Sequence, residues 1–254
     1  MSATKTSSKP SKSSGFITLI DQGAKIHTAD QGHERVNDTV LGSLERPALA
    51  WLARHMPAWI TPDELTAVGL FAAFVIFAGY VLTNIDHNFL WLASFGFVLN
   101  WFGDSLDGTL ARMRHIERPR YGYFVDHTVD AFSEVLIFLG LGLSPYLNFK
   151  YAALALIGYM LLSVLVYIMT YVEGVFRISY IRLGPTEMRV TAILANAVVF
   201  FAGNPKVQLP LGTFTFYDLV AVVLSVLFFG AYSVMVVSQA RALNRMESVK
   251  KKRH

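Results

Sequence analysis

The sequence predicts an all-α integral membrane protein with six transmembrane helices preceded by an amphipathic juxtamembrane helix. The first observation is composition: 54% of the 254 residues are hydrophobic and 16% are charged, against about 25% charged in soluble domains. The second is that the apolar residues form six runs, each close to the roughly 20 residues that cross a bilayer as a helix. These runs lie at 64–84, 89–110, 123–146, 150–173, 188–204 and 215–240.

The segment before the first run predicts a helix that lies on the membrane surface. Over residues 36–57, apolar side chains such as Leu44 and Trp51 are interleaved with Arg46 and Arg54, a pattern typical of interfacial helices. The first residues are instead rich in Ser and Lys and predict a disordered or weakly ordered tail. We therefore divide the chain into a tail at 1–34, an amphipathic helix at 35–60, a six-helix membrane domain at 61–241 and a basic tail at 242–254.

The basic residues predict the orientation of the chain. All Lys and Arg residues except Lys150 and Lys206 fall in the N-terminal region, the loops after spans 2 and 4, or the C-terminal tail. Six spans place these segments on one side, and the positive-inside rule assigns that side to the cytoplasm. We expect a multi-pass protein of the cell (inner) membrane with both termini cytoplasmic. We expect membrane lipids as partners and no nucleic acid.

Four aspartates at the cytoplasmic ends of spans 2 and 3 are the candidate functional residues. An ionised Asp at the bilayer centre costs roughly 2.5–3.5 kcal/mol, so such residues usually serve a function. Asp104 and Asp107 are spaced i, i+3 and Asp126 and Asp130 are spaced i, i+4, which puts each pair on one helix face. The short basic connection predicts that the two helices are antiparallel neighbours. Their acidic faces should then meet.

Converging carboxylates predict a metal site. They repel one another unless cations neutralise them, and oxygen ligands favour hard ions such as Mg²⁺, Mn²⁺ or Ca²⁺. The small residues Gly108, Ala111 and Gly122 on the same faces leave room for a ligand, and Arg112 suits phosphate oxygens. The combination indicates a phosphate-bearing substrate at the bilayer surface, and therefore a lipid.

The pattern Asp104-x2-Asp107-Gly108-x2-Ala111-Arg112-x9-Gly122-x3-Asp126-x3-Asp130 resembles the signature of the CDP-alcohol phosphotransferases, also called CDP-alcohol phosphatidyltransferases. These membrane enzymes make phospholipid head groups, and all eight positions of their signature are present. The six spans and the amphipathic N-terminal helix are also similar to that family.

The resemblance implies a reaction in which an alcohol hydroxyl attacks the β-phosphorus of a CDP-linked donor and releases CMP. Asp104, Asp107 and Asp126 would hold two divalent cations, Mg²⁺ or Mn²⁺. Asp130 would be the catalytic general base and would also contact the second metal. The residues expected to lie against the CDP moiety are Gly108, Ala111, Arg112 and Gly122. The family also implies a homodimer.

The Asp-Gly-Thr-Leu-Ala-Arg version of the motif resembles the bacterial CDP-diacylglycerol branch, which includes phosphatidylglycerophosphate and phosphatidylinositol phosphate synthases. We therefore expect CDP-diacylglycerol as the donor and a small alcohol as the acceptor. The other cytoplasmic basic loop supplies the candidate acceptor site, Arg177, Arg182 and Arg189. Several Arg residues suit a phosphorylated or acidic alcohol.

Two other function classes remain open. An intramembrane prenyltransferase also uses Asp-rich motifs with Mg²⁺, but without the Gly-x2-Ala-Arg element. A cation transporter could use membrane carboxylates, but these should then lie near the midplane on discontinuous helices.

Overall fold

The computed structural model describes residues 41–173, 185–210 and 212–251. These residues form seven helices and one β-hairpin: α1 (Gly42–His55), α2 (Pro62–Leu82), α3 (Phe89–Arg114), α4 (Pro119–Gly142), α5 (Phe149–Glu173), α6 (Pro185–Ala202), β1 (Lys206–Leu209), β2 (Gly212–Thr215) and α7 (Phe216–Lys251). The expectation of a mainly helical chain is confirmed. The tail at 1–34 and the first residues of the 35–60 segment lie outside the described residues.

The six apolar runs each coincide with one helix, from α2 to α7. Most of their ends agree within a few residues, whereas α7 continues past 240 to Lys251. Within the described ranges, three helical segments are long and apolar enough to cross a membrane: Pro62–Leu82, Phe149–Val172 and Phe216–Met246. Of the other three helices, α3 and α4 lie between the first two of these segments along the chain, and α6 lies between the last two. The helices α3 and α4 carry the four aspartates, which lower their apolar character.

A capping box starts α2. The Glu64 backbone N–H donates to Thr61 Oγ1 at 3.3 Å, and the Thr61 N–H donates to Glu64 Oε2 at 2.6 Å. Pro62 occupies the first helical position, where its missing N–H costs no hydrogen bond. The sequence therefore sets where α2 begins and, through helical phase, which of its side chains share a face.

Small residues bring α2 and α3 into close contact. A Cβ on Gly103 would lie 2.4 Å from the Gly69 nitrogen and 2.6 Å from the Leu65 carbonyl oxygen. One on Gly79 would lie 2.6 Å from the Ala93 nitrogen. Close backbone approach through small residues is the usual way in which membrane helices pack.

The acidic faces of α3 and α4 meet as the sequence predicts, because carboxylate oxygens of Asp104 on α3 and of Asp126 and Asp130 on α4 lie within 4.8 Å of one another. The helix α2 packs extensively against both, whereas close backbone approaches between α3 and α4 are sparse. The chain still turns sharply between them, because His115 adopts a left-handed conformation (φ 55°) and Pro119 begins the next helix. The two acidic faces therefore meet through their side chains, while the backbones of α3 and α4 stay further apart.

The helix α1 is fixed to the bundle along one side. Leu49 and Ala53 are buried, whereas Leu44 and Trp51 are exposed. Glu45 Oε1 accepts hydrogen bonds from Trp101 of α3 at 2.8 Å and from Thr186 of α6 at 2.7 Å.

The turn after α1 is held by the Arg114 guanidinium. This group donates hydrogen bonds to four backbone carbonyl oxygens, those of Met56, Pro57, Ala58 and Ile60.

A buried polar network joins four helices away from the aspartates. Asn196 Oδ1 accepts from the hydroxyls of Tyr80 at 3.0 Å and Tyr217 at 2.7 Å, and its amide nitrogen donates to Ser94 at 3.1 Å. Buried polar groups that are all hydrogen-bonded specify a single packing arrangement. The network therefore orients α6 relative to α2, α3 and α7.

The β-hairpin between α6 and α7 was not expected from the sequence. Its antiparallel register pairs Lys206 with Thr215 and Leu209 with Gly212. Gly212 has φ +130°, which only glycine adopts readily. Four-residue strands are too short to show a clear alternating pattern, so the sequence predicts only a loop between spans 5 and 6.

Candidate active site

A narrow cavity opens between α2, α3 and α4 where the acidic faces lie opposite each other. Its lining residues are Thr66, Gly69, Asn100, Asp104, Asp126, Val129, Asp130 and Ser133. Three of the four predicted aspartates therefore share one cavity. Their neighbours on α2 were not among the predicted site residues.

Three carboxylates converge in this cavity. Asp104, Asp126 and Asp130 each offer a carboxylate oxygen, and these oxygens lie within 4.8 Å of one another. All three side chains are partly buried. A set of carboxylate oxygens at this spacing fits a hard divalent cation, because Mg²⁺ and Mn²⁺ prefer oxygen ligands and neutralise the repulsion between them.

Asp107 lies beside this group, one turn from Asp104, and is held by two hydrogen bonds. Its Oδ2 accepts from the Thr66 hydroxyl at 2.6 Å, and its Oδ1 accepts from the Gly108 backbone N–H at 2.5 Å. It also interacts electrostatically with Asp104 and Asp126. Asp107 is thus close to the cluster, with its carboxylate oriented by α2.

Sequence reasoning missed Thr66. A threonine near the start of an apolar helix usually bonds to its own backbone, and Thr66 does donate to the Pro62 carbonyl at 3.1 Å. The signal for its second contact is weak, because Asp107 lies on another helix, 41 positions later.

Arg189 reaches the cluster from the first turns of α6. Its Nη2 donates to Asp104 Oδ2 at 2.5 Å, and its Nε donates to Asn100 Oδ1 at 2.8 Å. The Asn100 amide in turn donates to the Gly69 carbonyl at 2.9 Å. Of the three arginines predicted to bind the acceptor, Arg189 is therefore beside the carboxylates. Arg177 and Arg182 lie outside the described residues.

Two buried polar atoms at the site have no hydrogen-bond partner among the described residues. They are Nη1 of Arg189 and Oγ of Ser133, and Ser133 lines the cavity. Buried polar groups are nearly always satisfied, so unpaired ones require an explanation such as a water, ion or ligand. Both atoms are available to form hydrogen bonds with a bound polar ligand.

The four residues predicted to contact CDP are not among the residues that line the cavity, and two of them, Arg112 and Gly122, are exposed. A Cβ on Gly122 would meet nothing within 4 Å, and one on Gly108 would lie 3.2 Å from Arg112 Nη1. Ala111 is half-buried, and Arg112 is exposed with Nη2 donating to Thr109 at 3.3 Å. The exposed surface at Gly122 leaves space for a ligand larger than an ion.

Comparison with known proteins identifies the family of the chain. Residues 59–240 match the family model described as CDP-alcohol phosphatidyltransferase, a range that contains every aspartate of the site. The chain is 28% identical to cholinephosphotransferase 1 of Danio rerio over 163 residues, which cover 60% of this chain and 41% of that protein.

Two synthases of inositol-containing lipids are also similar. Phosphatidylinositol phosphate synthase of Cutibacterium acnes is 35% identical over 88 residues, covering 34% of this chain and 39% of that protein. Archaetidylinositol phosphate synthase of Pyrococcus horikoshii is 31% identical over 104 residues, covering 41% of this chain and 52% of that protein. The matched regions thus span between two fifths and about half of these curated relatives. The family model, in contrast, covers most of this chain, and the chain belongs to the CDP-alcohol phosphatidyltransferase family.

Proposed function

We propose that the protein transfers a phosphatidyl group, a substituted phosphate, from a CDP-linked donor to an alcohol and releases CMP. The observation that carries this proposal is the convergence of Asp104, Asp126 and Asp130 within 4.8 Å, in a chain that has all eight residues of the signature. In the reaction, a bond forms between the alcohol oxygen and the β-phosphorus. The bond from that phosphorus to the CMP oxygen breaks.

The proposed cofactors are two divalent cations, Mg²⁺ or Mn²⁺. Asp104, Asp107, Asp126 and Asp130 would hold them, and Thr66 would orient Asp107. The cations would neutralise charge on the diphosphate and on the leaving CMP. The oxygen-only ligand set and the mutual repulsion of the carboxylates support this assignment.

Asp130 is the proposed general base. It lines the cavity between α3 and α4, where an acceptor hydroxyl could donate its proton to the carboxylate as it attacks. The nucleotide would lie beside the cavity, against Gly108, Ala111, Arg112 and Gly122. The absence of a neighbour within 4 Å of a Gly122 Cβ supports a backbone surface that a ligand can approach closely.

For the donor we propose CDP-diacylglycerol, used as in the bacterial branch of the family. The two similar synthases, whose names specify inositol phosphate lipids, support a phosphorylated acceptor. A buried guanidinium with an unpaired donor at Arg189 also suits an anionic acceptor, together with Arg177 and Arg182.

A second candidate reaction uses a CDP-linked alcohol as the donor and a lipid hydroxyl as the acceptor. The observation in its favour is the longer match to cholinephosphotransferase 1, which covers 60% of this chain. Both reactions release CMP and need the same carboxylates.

We propose six transmembrane spans, α2 to α7, with α1 on the membrane surface. In this arrangement the termini and the active site are on the cytoplasmic side of the cell (inner) membrane. The alternation of basic and nonbasic loops supports this orientation. We also propose a homodimer, as in the family.

The test incubates purified protein with Mn²⁺ or Mg²⁺, either CDP-diacylglycerol or CDP-choline, and a panel of alcohols or diacylglycerol. CMP release and the mass of the lipid product are measured, with Asp126→Asn as the control. We expect CMP and a new phospholipid that depend on both metal and CDP-diacylglycerol. Consumption of a prenyl diphosphate, or cation flux in proteoliposomes without CMP release, would instead support the prenyltransferase or transporter alternatives.

A further inference from the structure

We propose that Arg189 is the internal counter-ion of the metal-free carboxylate cluster and competes with the divalent cation for Asp104. The inference rests on the proposed metal site. It concerns how the negative charge of the carboxylates is neutralised when the site holds no metal. Arg189 is a positioning residue in this role, because it acts through Asp104.

The contacts of Arg189 place its charge on a carboxylate oxygen of Asp104, a proposed metal ligand. Its side chain is 12% exposed and that of Asp104 is 20% exposed, and Nη2 lies 2.5 Å from Oδ2. Asn100 fixes the other edge of the guanidinium by accepting from Nε, and is itself held by the Gly69 carbonyl. The arginine is therefore oriented towards Asp104 by groups on α2 and α3.

The charges around the pair explain why it forms. A buried carboxylate or guanidinium without a partner is strongly unfavourable. Arg189 also interacts electrostatically with Asp130 and with Glu134, so one cation faces several carboxylates on α3 and α4. The guanidinium compensates part of their repulsion when no metal is present.

The same geometry opposes metal binding. A guanidinium on Oδ2 occupies one of the two oxygens through which Asp104 can bind a cation, and its positive charge repels a second positive charge nearby. Binding of the metal must therefore displace or weaken the contact between Arg189 and Asp104. Removing the guanidinium should raise the affinity for the metal.

The experiment measures Mn²⁺ affinity directly, by the electron paramagnetic resonance signal of free Mn²⁺, without nucleotide or lipid donor. The proteins compared are the wild type, Arg189→Gln, Arg189→Lys and Arg118→Gln. Arg118 is a matched control, because it also pairs with an aspartate, Asp63, but both side chains are about half exposed and neither lines the cavity.

We expect Arg189→Gln to bind Mn²⁺ more tightly than the wild type, within the roughly 5- to 150-fold range typical of coupling between two ligands. Arg118→Gln should leave the affinity unchanged. A second readout is the melting temperature. Without metal, Arg189→Gln should melt lower than the wild type, and Mn²⁺ should raise its melting temperature by more than that of the wild type.

A purely structural role for Arg189 predicts a different result, a loss of stability with no gain in metal affinity. Equal or weaker Mn²⁺ binding by Arg189→Gln would therefore overturn the inference, while metal binding by the wild type would keep the proposed site. Wild-type protein that binds Mn²⁺ no better than Asp126→Asn would overturn the proposed metal site itself. If Arg189→Gln does not fold, Arg189→Lys must show a smaller change in the same direction. The lysine in this variant keeps the positive charge but lacks the planar guanidinium that donates hydrogen bonds to both Asn100 and Asp104.

Discussion

The hydroxyl of Thr66 donates a 2.6 Å hydrogen bond to Oδ2 of Asp107. The bond crosses from α2 to α3 and leaves Oδ1 facing the Gly108 backbone N–H. Groups that orient a metal ligand by a hydrogen bond contribute to metal affinity. The first apolar helix is therefore part of the candidate site.

We expect Thr66→Val to lower Mn²⁺ affinity about 10- to 100-fold, the usual effect of losing a group that orients a metal ligand. Thr66→Ser should retain the hydrogen bond and most of the affinity. Thr128→Val is the matched control, because the Thr128 hydroxyl bonds only to its own helix, at the Phe124 carbonyl, and is exposed. Titration of Mn²⁺ into each protein measures the effect. Wild-type affinity in Thr66→Val would show that Asp107 needs no support from α2.

Asparagine substitutions should separate metal binding from proton transfer. We expect Asp107→Asn and Asp126→Asn to abolish metal-dependent CMP release while leaving a folded protein, because each removes a charged metal ligand. Asp130→Asn should also abolish CMP release but retain nucleotide binding, because the proposed base is lost and the nucleotide contacts are not. CMP release and nucleotide binding are measured on the same preparations. Full activity in any of the three variants would contradict the site assignment.

Gly122→Ala tests whether the nucleotide lies against the Gly122 backbone, beside the cavity. An added Cβ meets nothing within 4 Å in the structure, so folding should be unaffected. If the CDP moiety lies against this backbone, the methyl group should raise the KM for the CDP-linked donor. Gly230→Ala is the control, since its Cβ also meets nothing within 4 Å and it lies on α7. An unchanged KM in Gly122→Ala would place the nucleotide elsewhere.

Gly103→Ala should destabilise the contact between α2 and α3. The new Cβ would lie 2.4 Å from the Gly69 nitrogen, a backbone atom that can move only with its helix. Overpacking of this kind typically costs about 1–3 kcal/mol. Thermal unfolding in detergent should show a lower melting temperature for Gly103→Ala than for the wild type. The melting temperature of Gly230→Ala should not be lower, because alanine is a better helix former than glycine. A melting temperature equal to that of the wild type would mean that the two helices can separate at little cost.

Much of the helical framework follows from local sequence patterns. The apolar runs locate α2 to α7 because each run is long enough to form a single helix. The β-hairpin was missed because four-residue strands carry too little pattern. Likewise, the spacing of Asp126 and Asp130 places both on one face, since helical phase depends only on separation along one helix.

Helical spacing along the chain shows which carboxylates share a helix face, and their charge requires a cation or a polar cavity. The positions of the helices in space add what the spacing does not contain. The helix α2 lies against both α3 and α4, Thr66 reaches Asp107, and Arg189 pairs with Asp104, 85 positions away. The reason is that helical phase is local, whereas contacts between helices depend on how closely their backbones approach. That approach is set at α2 and α3 by Gly69 and Gly103, whose effect appears only when both helices are in place.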